Sequence, residues 1–382
     1  MKIALNATIA NPSQTGTGQY AANLTAALMQ ADHDHELVVY CDRQMVDWFG
    51  DRRNGRAVRL KAVDVRSAAQ RIVWEQTHLA PDLARERVHL LHGLAFTAPL
   101  RTVTRYVVTV HDLAFRRYPQ TLTRARRWYY RWLFPRVLRA AKCVITPTET
   151  IRHEVLEAFN LQRNAVIAAH GGAGELFKRT PNPSEVEDAC VRLGVPRPYV
   201  LAVGTLEPRK NLEMAVQAFL AARAAAHLPH RLVLVGKTGP ERATRARLAR
   251  RAHDSDAVVF TGYVEAEQLP ALYAGADLLL FPSLYEGLGL PLLEAFHAGV
   301  AVLASDLPVH REVCGDAAWF APPREPERWQ HAIAQLLSQP ARRAALVAKG
   351  QRRARAFSWQ AAAEKTLAVY EMAGQTFERF RT

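Results

Sequence analysis

The chain has 382 residues, 49% hydrophobic and 23% charged, with a formal net charge of +14. That length exceeds what one hydrophobic core usually organises, so two domains are expected, and the composition excludes a disordered, collagen-like or coiled-coil chain. The positive charge attracts nucleic acid, anionic lipid or phosphorylated ligands.

The first apolar run, "KIALNAT", is cut by Asn6 and then by Pro12, so it offers no signal-peptide core. No other run is apolar over a membrane-spanning length, and a cytoplasmic protein is expected. "KIALNAT" reads as a strand, and "GQYAANLTAALMQA" after it reads as a helix. Between them, Gly16 and Gly18 either bring backbone close to an anionic ligand at the helix start or form a flexible turn. "ADHDHE" (Asp32–Glu36) resembles a metal cluster but falls where a polar turn belongs. "HELVVYC", "RYVVTVHD" and "KCVITPT" read as further buried parallel strands.

His111 ends the strand "RYVVTVHD". A lone histidine is more often structural, but a strand end beside a cleft gives the catalytic reading equal weight; His92 has a weaker version of that case. Residues 123–142 mix arginines with Trp128, Tyr129, Tyr130, Trp132 and Phe134. Such a helix suits an anionic membrane surface or a solvated arginine face, and the overall basicity favours the first. The four cysteines, Cys41, Cys143, Cys190 and Cys314, form no C-x-x-C pair and read as reduced thiols.

A proline-rich stretch near residues 178–186 reads as a linker. Beyond it strand–helix alternation restarts with "PYVLAVGT", "HRLVLVGK", "AVVFTGY", "DLLLFPS" and "AVLASD" as strands. "VGTLEPRKNL" places Arg209 and Lys210 after a strand that ends at Gly204 and before a helix that Asn211 is suited to cap. A diphosphate there would meet a guanidinium fork, an ammonium and a helix N-terminus. The aspartates of "DSD" (Asp254–Asp256) precede a strand and read as a turn, so no metal site is expected. "SLYEGLGLPLLEAFHAG" (Ser283–Gly299) sets Glu286 in a loop and Glu294 one turn into a helix, with a Gly287–Leu290 bend between them. Carboxylates accept well from sugar hydroxyls. The Ala/Arg-rich tail from about Pro340 reads as helical, anchored by Trp359 and Tyr370.

These segments, together with "WEQTHLAP" and "VITPTETIRHEV", resemble glycosyltransferase family 4 over nearly the whole chain. The resemblance implies an α/β GT-B fold, two Rossmann-like doubly wound domains facing across a cleft. Residues 1–180 would form the acceptor domain and 186–354 the donor domain, with a helix over 355–382 packing back on the first. Glu286 and Glu294 match the E-x7-E signature; by resemblance the first contacts the donor sugar and the second the nucleotide ribose. Backbone N–H groups of Gly287, Leu288, Gly289 and Leu290 would hold sugar and phosphates. Arg209 and Lys210 match the pair that neutralises the diphosphate in place of a metal. By resemblance Gly18 would lie near that diphosphate and His111 near the donor sugar, Gly204 would belong to the donor-binding set, and Tyr263 and Val264 would line the base pocket. The chain departs from the family in "AAHGGAG" and in carrying Asn6 where an acid is common.

The resemblance thus implies a metal-independent, retaining hexosyltransferase with no cofactor. It implies a nucleotide-sugar donor, first GDP-mannose, and a glycan or polyprenyl-linked acceptor in surface polysaccharide or lipopolysaccharide synthesis. The basic aromatic helix would place it on the inner face of the cytoplasmic membrane. A sugar-nucleotide epimerase is the alternative within the fold. A nucleic-acid-binding protein is argued only from charge, and no binding module supports it, so no nucleic-acid partner is expected. A nicotinamide dehydrogenase is disfavoured, because the first turn lacks the full G-x-G-x-x-G pattern.

Overall fold

The computed structural model describes residues 1–12, 15–53, 57–65, 67–119, 124–237, 242–252 and 256–375. The chain divides into two compact units: Met1–Gly171 with the segment from Ser358, and Gly172–Phe357.

The first unit holds β1 (Lys2–Ala7), β2 (Glu36–Asp42), β3 (Val58–Val63), β4 (Leu90–Gly93), β5 (Arg105–Thr109), β6 (Cys143–Thr146) and β7 (Val166–Ala168). They form one sheet in the order β3-β2-β1-β4-β5-β6-β7, and every pairing is parallel. The second holds β8 (Tyr199–Val203), β9 (Arg231–Val235), β10 (Val258–Gly262), β11 (Leu278–Phe281), β12 (Val302–Ser305) and β13 (Trp319–Ala321). Its order is β10-β9-β8-β11-β12-β13, again parallel throughout. Both are doubly wound α/β sheets, and strand order reverses beside the first strand of each: β1/β4 and β8/β11. In such sheets ligands bind at that reversal, outside the carboxyl ends of the strands.

The central strands are buried on both faces, which is why they read as unbroken apolar runs. The sequence reading did not name β3, β4, β7 and β13 as strands. β3 is an edge strand whose residues are half-exposed or exposed up to the buried Val63, β7 and β13 have three residues each at the sheet edges, and β4 is four residues long with His92 inside it. The expected linker over 178–186 is also corrected. Asn182 accepts from Glu185 N while Glu185 accepts from Asn182 N, and Pro183 fits the first turn, so Pro183–Leu193 is a capped helix. The break between units falls at Gly171/Gly172 instead.

The tail forms helices Pro340–Ala354 and Trp359–Gln375. The second packs in the first unit. Trp359 lies edge-on to Tyr20 at 5.2 Å and fills the space that a Cβ on Gly171 would need, while Tyr370 is buried against His92. All four cysteines are free and buried. Among the described residues no helix is long and apolar enough to cross a membrane.

Three consecutive strands of the second sheet end at a glycine or directly before one: Gly204, Gly236 and Gly262. A Cβ on Gly236 would stand 2.0 Å from the Gly204 carbonyl oxygen, whereas one on Gly262 (φ +74°) would meet open space. Gly236→Ala is therefore expected to cost about 3 kcal/mol or more through forced separation of two strand ends. Gly262→Ala should cost about 1–2 kcal/mol, from its left-handed backbone alone. Urea unfolding of the two variants measures the difference, and equal losses would contradict it.

Candidate functional site

The chemistry of the second unit collects at the β8/β11 reversal. After β8 the chain turns at Gly204 and makes a short 3-10 turn, Pro208–Lys210, before the helix Leu212–Ala225. After β11 it runs through Ser283–Gly289 into the helix Leu290–His297. Leu284 N donates to Arg209 O at 2.8 Å, tying the two loops together. Asn211 does not cap its helix through its side chain, as the sequence suggested. It adopts a left-handed conformation (φ +55°), and its Nδ2 donates to Pro282 O and Pro323 O, so it is a strut between three loops.

Glu286 is buried between two cations. Lys210 Nζ lies 2.6 Å from its Oε1 and Arg209 Nη1 3.1 Å from its Oε2. Burial by itself would raise this carboxyl, but Lys210 and Arg209 outweigh it and hold it down at about 2. Arg209 is further committed: Nη1 donates to Tyr285 O at 2.7 Å, and Nη2 to Glu207 Oε1 at 2.7 Å. Lys210 is less tied. Its stem passes 3.3 Å from where a Gly204 Cβ would stand, and its ammonium lies 5.4 Å above the Phe281 ring. The two cations are thus not solvated; they are preset around one point.

Glu294, about one turn into the helix, is equally buried but lacks a cation. Its Oε2 accepts from Tyr273 OH at 2.7 Å. Burial pushes it up to about 7, only partly offset by that hydrogen bond. Between the two glutamates, Gly287, Leu288, Gly289 and Leu290 are buried. Gly289 has φ +87°, which favours glycine, and it delivers the start of a helix whose first N–H groups lack intrahelical acceptors. Tyr263 follows β10, with Lys237 Nζ 4.1 Å above its ring, and Val264 beside it is buried.

The remaining candidates lie in the first unit. Gly18 sits in the first turn of the helix Gly16–Gln30, where its N–H donates to the capping Thr15 Oγ1. A Cβ there would stand 2.9 Å from Asn11 O, so this glycine admits the returning backbone of its own loop. His111 follows β5 and is buried; its Nε2–H donates to Leu94 O at 2.7 Å. Burial lowers its pKa to about 4, so the ring is neutral with its lone pair on Nδ1. His92 is structural: both its ring nitrogens are engaged, by Tyr370 OH and Thr109 Oγ1, within a sealed core. Asn6 Nδ2 donates to Glu75 Oε2 at 2.8 Å, a buried pair at the end of β1.

Sequence reasoning missed Glu207, Tyr273 and Gly236. Glu207 stood inside a quoted motif without a role. Gly236 carried a usable signal, a glycine directly after a buried strand. Tyr273 carried none, because its partner is 21 residues away. The histidines of the "ADHDHE" segment are structural: His33 bonds Leu28 O, and His35 bonds Glu371 at 3.0 Å. Asp254 lies outside the described residues, as does Thr123 of the basic aromatic segment. Among the described residues no cluster of three metal-ligating side chains occurs.

A family model described as Glycosyl transferases group 1 matches residues 186–353, and one described as Glycosyltransferase Family 4 matches residues 15–172. The O-antigen chain mannosyltransferase B of Escherichia coli is 28% identical over 370 residues, covering 94% of this chain and 96% of that one. The serotype-specific mannosyltransferase WbdA of Escherichia coli is 32% identical over 186 residues; these cover 48% of this chain and 23% of WbdA. Anabaena HepE, solved in complex with UDP and glucose, is 16% identical with a TM-score of 0.75, covering 97% of this chain and 99% of that one. That last likeness is one of fold, the two-domain GT-B architecture.

The raised pKa of Glu294 has a stability consequence. Its protonated form favours the fold; that contribution is complete below the pKa of the unfolded chain and is lost as pH rises through about 7. Glu294→Gln cannot ionise. By urea unfolding, this variant should gain stability relative to wild type between about pH 5 and about pH 8, by on the order of 2–3 kcal/mol. A difference independent of pH would contradict a carboxyl held protonated.

Proposed function

The chain belongs to the family 4 glycosyltransferases, and from that premise we propose that it is a retaining mannosyltransferase. It moves mannose from GDP-mannose to a glycan or polyprenyl-linked acceptor in surface polysaccharide synthesis. Similarity to an O-antigen chain mannosyltransferase over nearly its full length supports the sugar and the setting. The observation that carries the reading is the Lys210–Glu286–Arg209 cluster at the β8/β11 reversal.

In this reading the donor diphosphate lies against Lys210, Arg209 and the start of the helix Leu290–His297. As the anomeric bond breaks, negative charge grows on the departing phosphate, and these groups meet it without rearranging. No metal or other cofactor is assigned a part. Lys210 is the more available cation, since three acceptors already hold the Arg209 fork. Glu286 stays ionised and accepts from sugar hydroxyls. Glu294, held by Tyr273, reads the ribose hydroxyls. Gly204 leaves room near the diphosphate, and Tyr263 and Val264 line the base pocket. Retention follows if the acceptor attacks the face that the phosphate leaves, the phosphate taking the acceptor proton. Glu286 then orients the sugar and is not a nucleophile.

Lys210→Ala should lower kcat with GDP-mannose by about 10²–10³. It should unfold less readily than Arg209→Ala, which also strips a partner from Glu207 and from Tyr285 O. A Lys210→Ala enzyme with near-wild-type kcat would sink the cluster's role. Thermal shifts and slow hydrolysis across GDP-, UDP- and dTDP-sugars test the donor, and protection by UDP-glucose alone would overturn GDP-mannose.

A peripheral place on the inner face of the cytoplasmic membrane is part of the same proposal. The helix Arg124–Ala140 buries Leu133, Phe134, Val137 and Leu138. Its outer face shows Trp128 (67% exposed) stacked on Trp132 (42% exposed), with Arg136 over Trp132 at 4.3 Å. Interfacial indoles beside arginines fit an anionic bilayer. Vesicles rich in phosphatidylglycerol should sediment the wild type and release a Trp128→Ala, Trp132→Ala double variant; equal retention of both proteins would refute it.

A further inference from the structure

We propose that a cavity of about 390 Å³ on the first unit is a distal acceptor subsite, which holds a hexose of the acceptor glycan away from its reacting end. This rests on the mannosyltransferase reading and specifies where that acceptor is gripped.

The cavity lies over the carboxyl halves of β2 and β3, where Tyr40 stands opposite Lys61. Tyr40 OH and Lys61 Nζ both donate to Asp82 Oδ2, at 2.8 and 2.5 Å. The other oxygen, Oδ1, has Arg85 Nη1 at 3.9 Å, too far for a hydrogen bond, and is open to a hydroxyl donor. One wall is the half-buried indole of Trp74, whose N–H has no acceptor among the described residues; the ring is 5.7 Å from Tyr40. Thr77 Oγ1 gives its proton to Val73 O, so it can only accept from His78 Nδ1 at 2.7 Å. In the neutral ring this leaves His78 Nε2 with a lone pair.

The cavity therefore offers an aromatic face, an indole donor, an ammonium, a carboxylate oxygen and an imidazole acceptor. That set matches a hexose, which has an apolar C–H face and hydroxyls that both give and take hydrogen bonds. Lys61 Nζ already donates to Asp82 and Glu86, and Glu86 also binds Lys2 and Arg59, so the ammonium is tied within the protein and keeps one N–H for a hydroxyl. The size falls in the range of small-ligand pockets.

Its place in the sheet links it to the β1/β4 reversal. The order β3-β2-β1-β4 puts the cavity on the same carboxyl edge, about 10 Å away at ~4.8 Å per strand. One stretch of chain touches both. Trp74 lines the cavity, and the next residue, Glu75, opens a π-helical turn and bonds Asn6 at the end of β1. Such turns recur at functional sites.

The test uses the full chain, GDP-mannose, and a disaccharide, a trisaccharide and a pentasaccharide of α-linked mannose as acceptors. Wild type should prefer the longest, judged by kcat/KM. Trp74→Ala should reduce the pentasaccharide-to-disaccharide ratio of kcat/KM by about fivefold to tenfold, and Trp74→Phe should recover most of it. Trp74 also packs on Tyr40, so His78→Ala, an exposed change, should lower the same ratio in a protein of unaltered thermal stability. An unchanged ratio in both variants, or no length preference in a wild type that hydrolyses donor, would overturn the subsite alone. No turnover of GDP-mannose by wild type would overturn the underlying reading, and the subsite with it.

Discussion

The structure of the second unit turns on one interaction, a carboxylate buried between an ammonium and a guanidinium. Taking three charges out of water costs several kcal/mol per ion, and mutual attraction repays that only in good geometry. A hydrophobic trio in the same space would stabilise the fold as well or better. The arrangement is therefore poorly explained as a stability device. It demands much of its surroundings: β8 and β11 must be neighbours, Leu284 must bond Arg209 O, and Gly204 must leave room for the Lys210 stem.

Two glutamates eight residues apart meet opposite electrostatic fates. Glu286 has two cations within 3.1 Å and stays ionised far into acid. Glu294 has a phenol and apolar walls and titrates near neutrality. Sequence spacing alone treats them as a matched pair. Environment separates them into an acceptor that is always charged and a group that can give or take a hydrogen bond.

Much of this was legible in the chain, for identifiable reasons. Strands buried on both faces must be unbroken apolar runs, so β1, β2, β5, β6, β8, β9, β11 and β12 announced themselves. Turns that need left-handed backbone favour glycine, which marked Gly289. What failed was whatever depends on non-local partners. Asn211 had the composition of a cap, but carbonyls 71 and 112 residues away claimed its amide. Pro183 looked like a linker because a proline reads the same in a loop and in a first helical turn; only the Asn182–Glu185 box decides. Arg209 and Lys210 were placed correctly before a helix, but the sequence could not say that Glu286 would neutralise them.

The two sheets share one topology and differ in charge at the equivalent reversal. Beside β8/β11, ionised groups are packed closely and Glu286 is held charged. Beside β1/β4, the buried groups are Asn6 with Glu75, which burial pushes up to about 7, and a neutral His111 near the end of β5. Glycine after the leading strand also serves different ends: Gly204 makes room for a cation, Gly18 for returning backbone carbonyls. A doubly wound sheet supplies a crevice but not its chemistry. Here one crevice is built around fixed charge, which fits the diphosphate of the proposed donor. The other is built around an amide, a carboxyl raised by burial and a neutral imidazole, which fits the proposed glycan acceptor. Asn6 in place of an acid fits that division, because a carboxylate there would face Glu75 across a hydrogen bond that only an amide or a shared proton can complete.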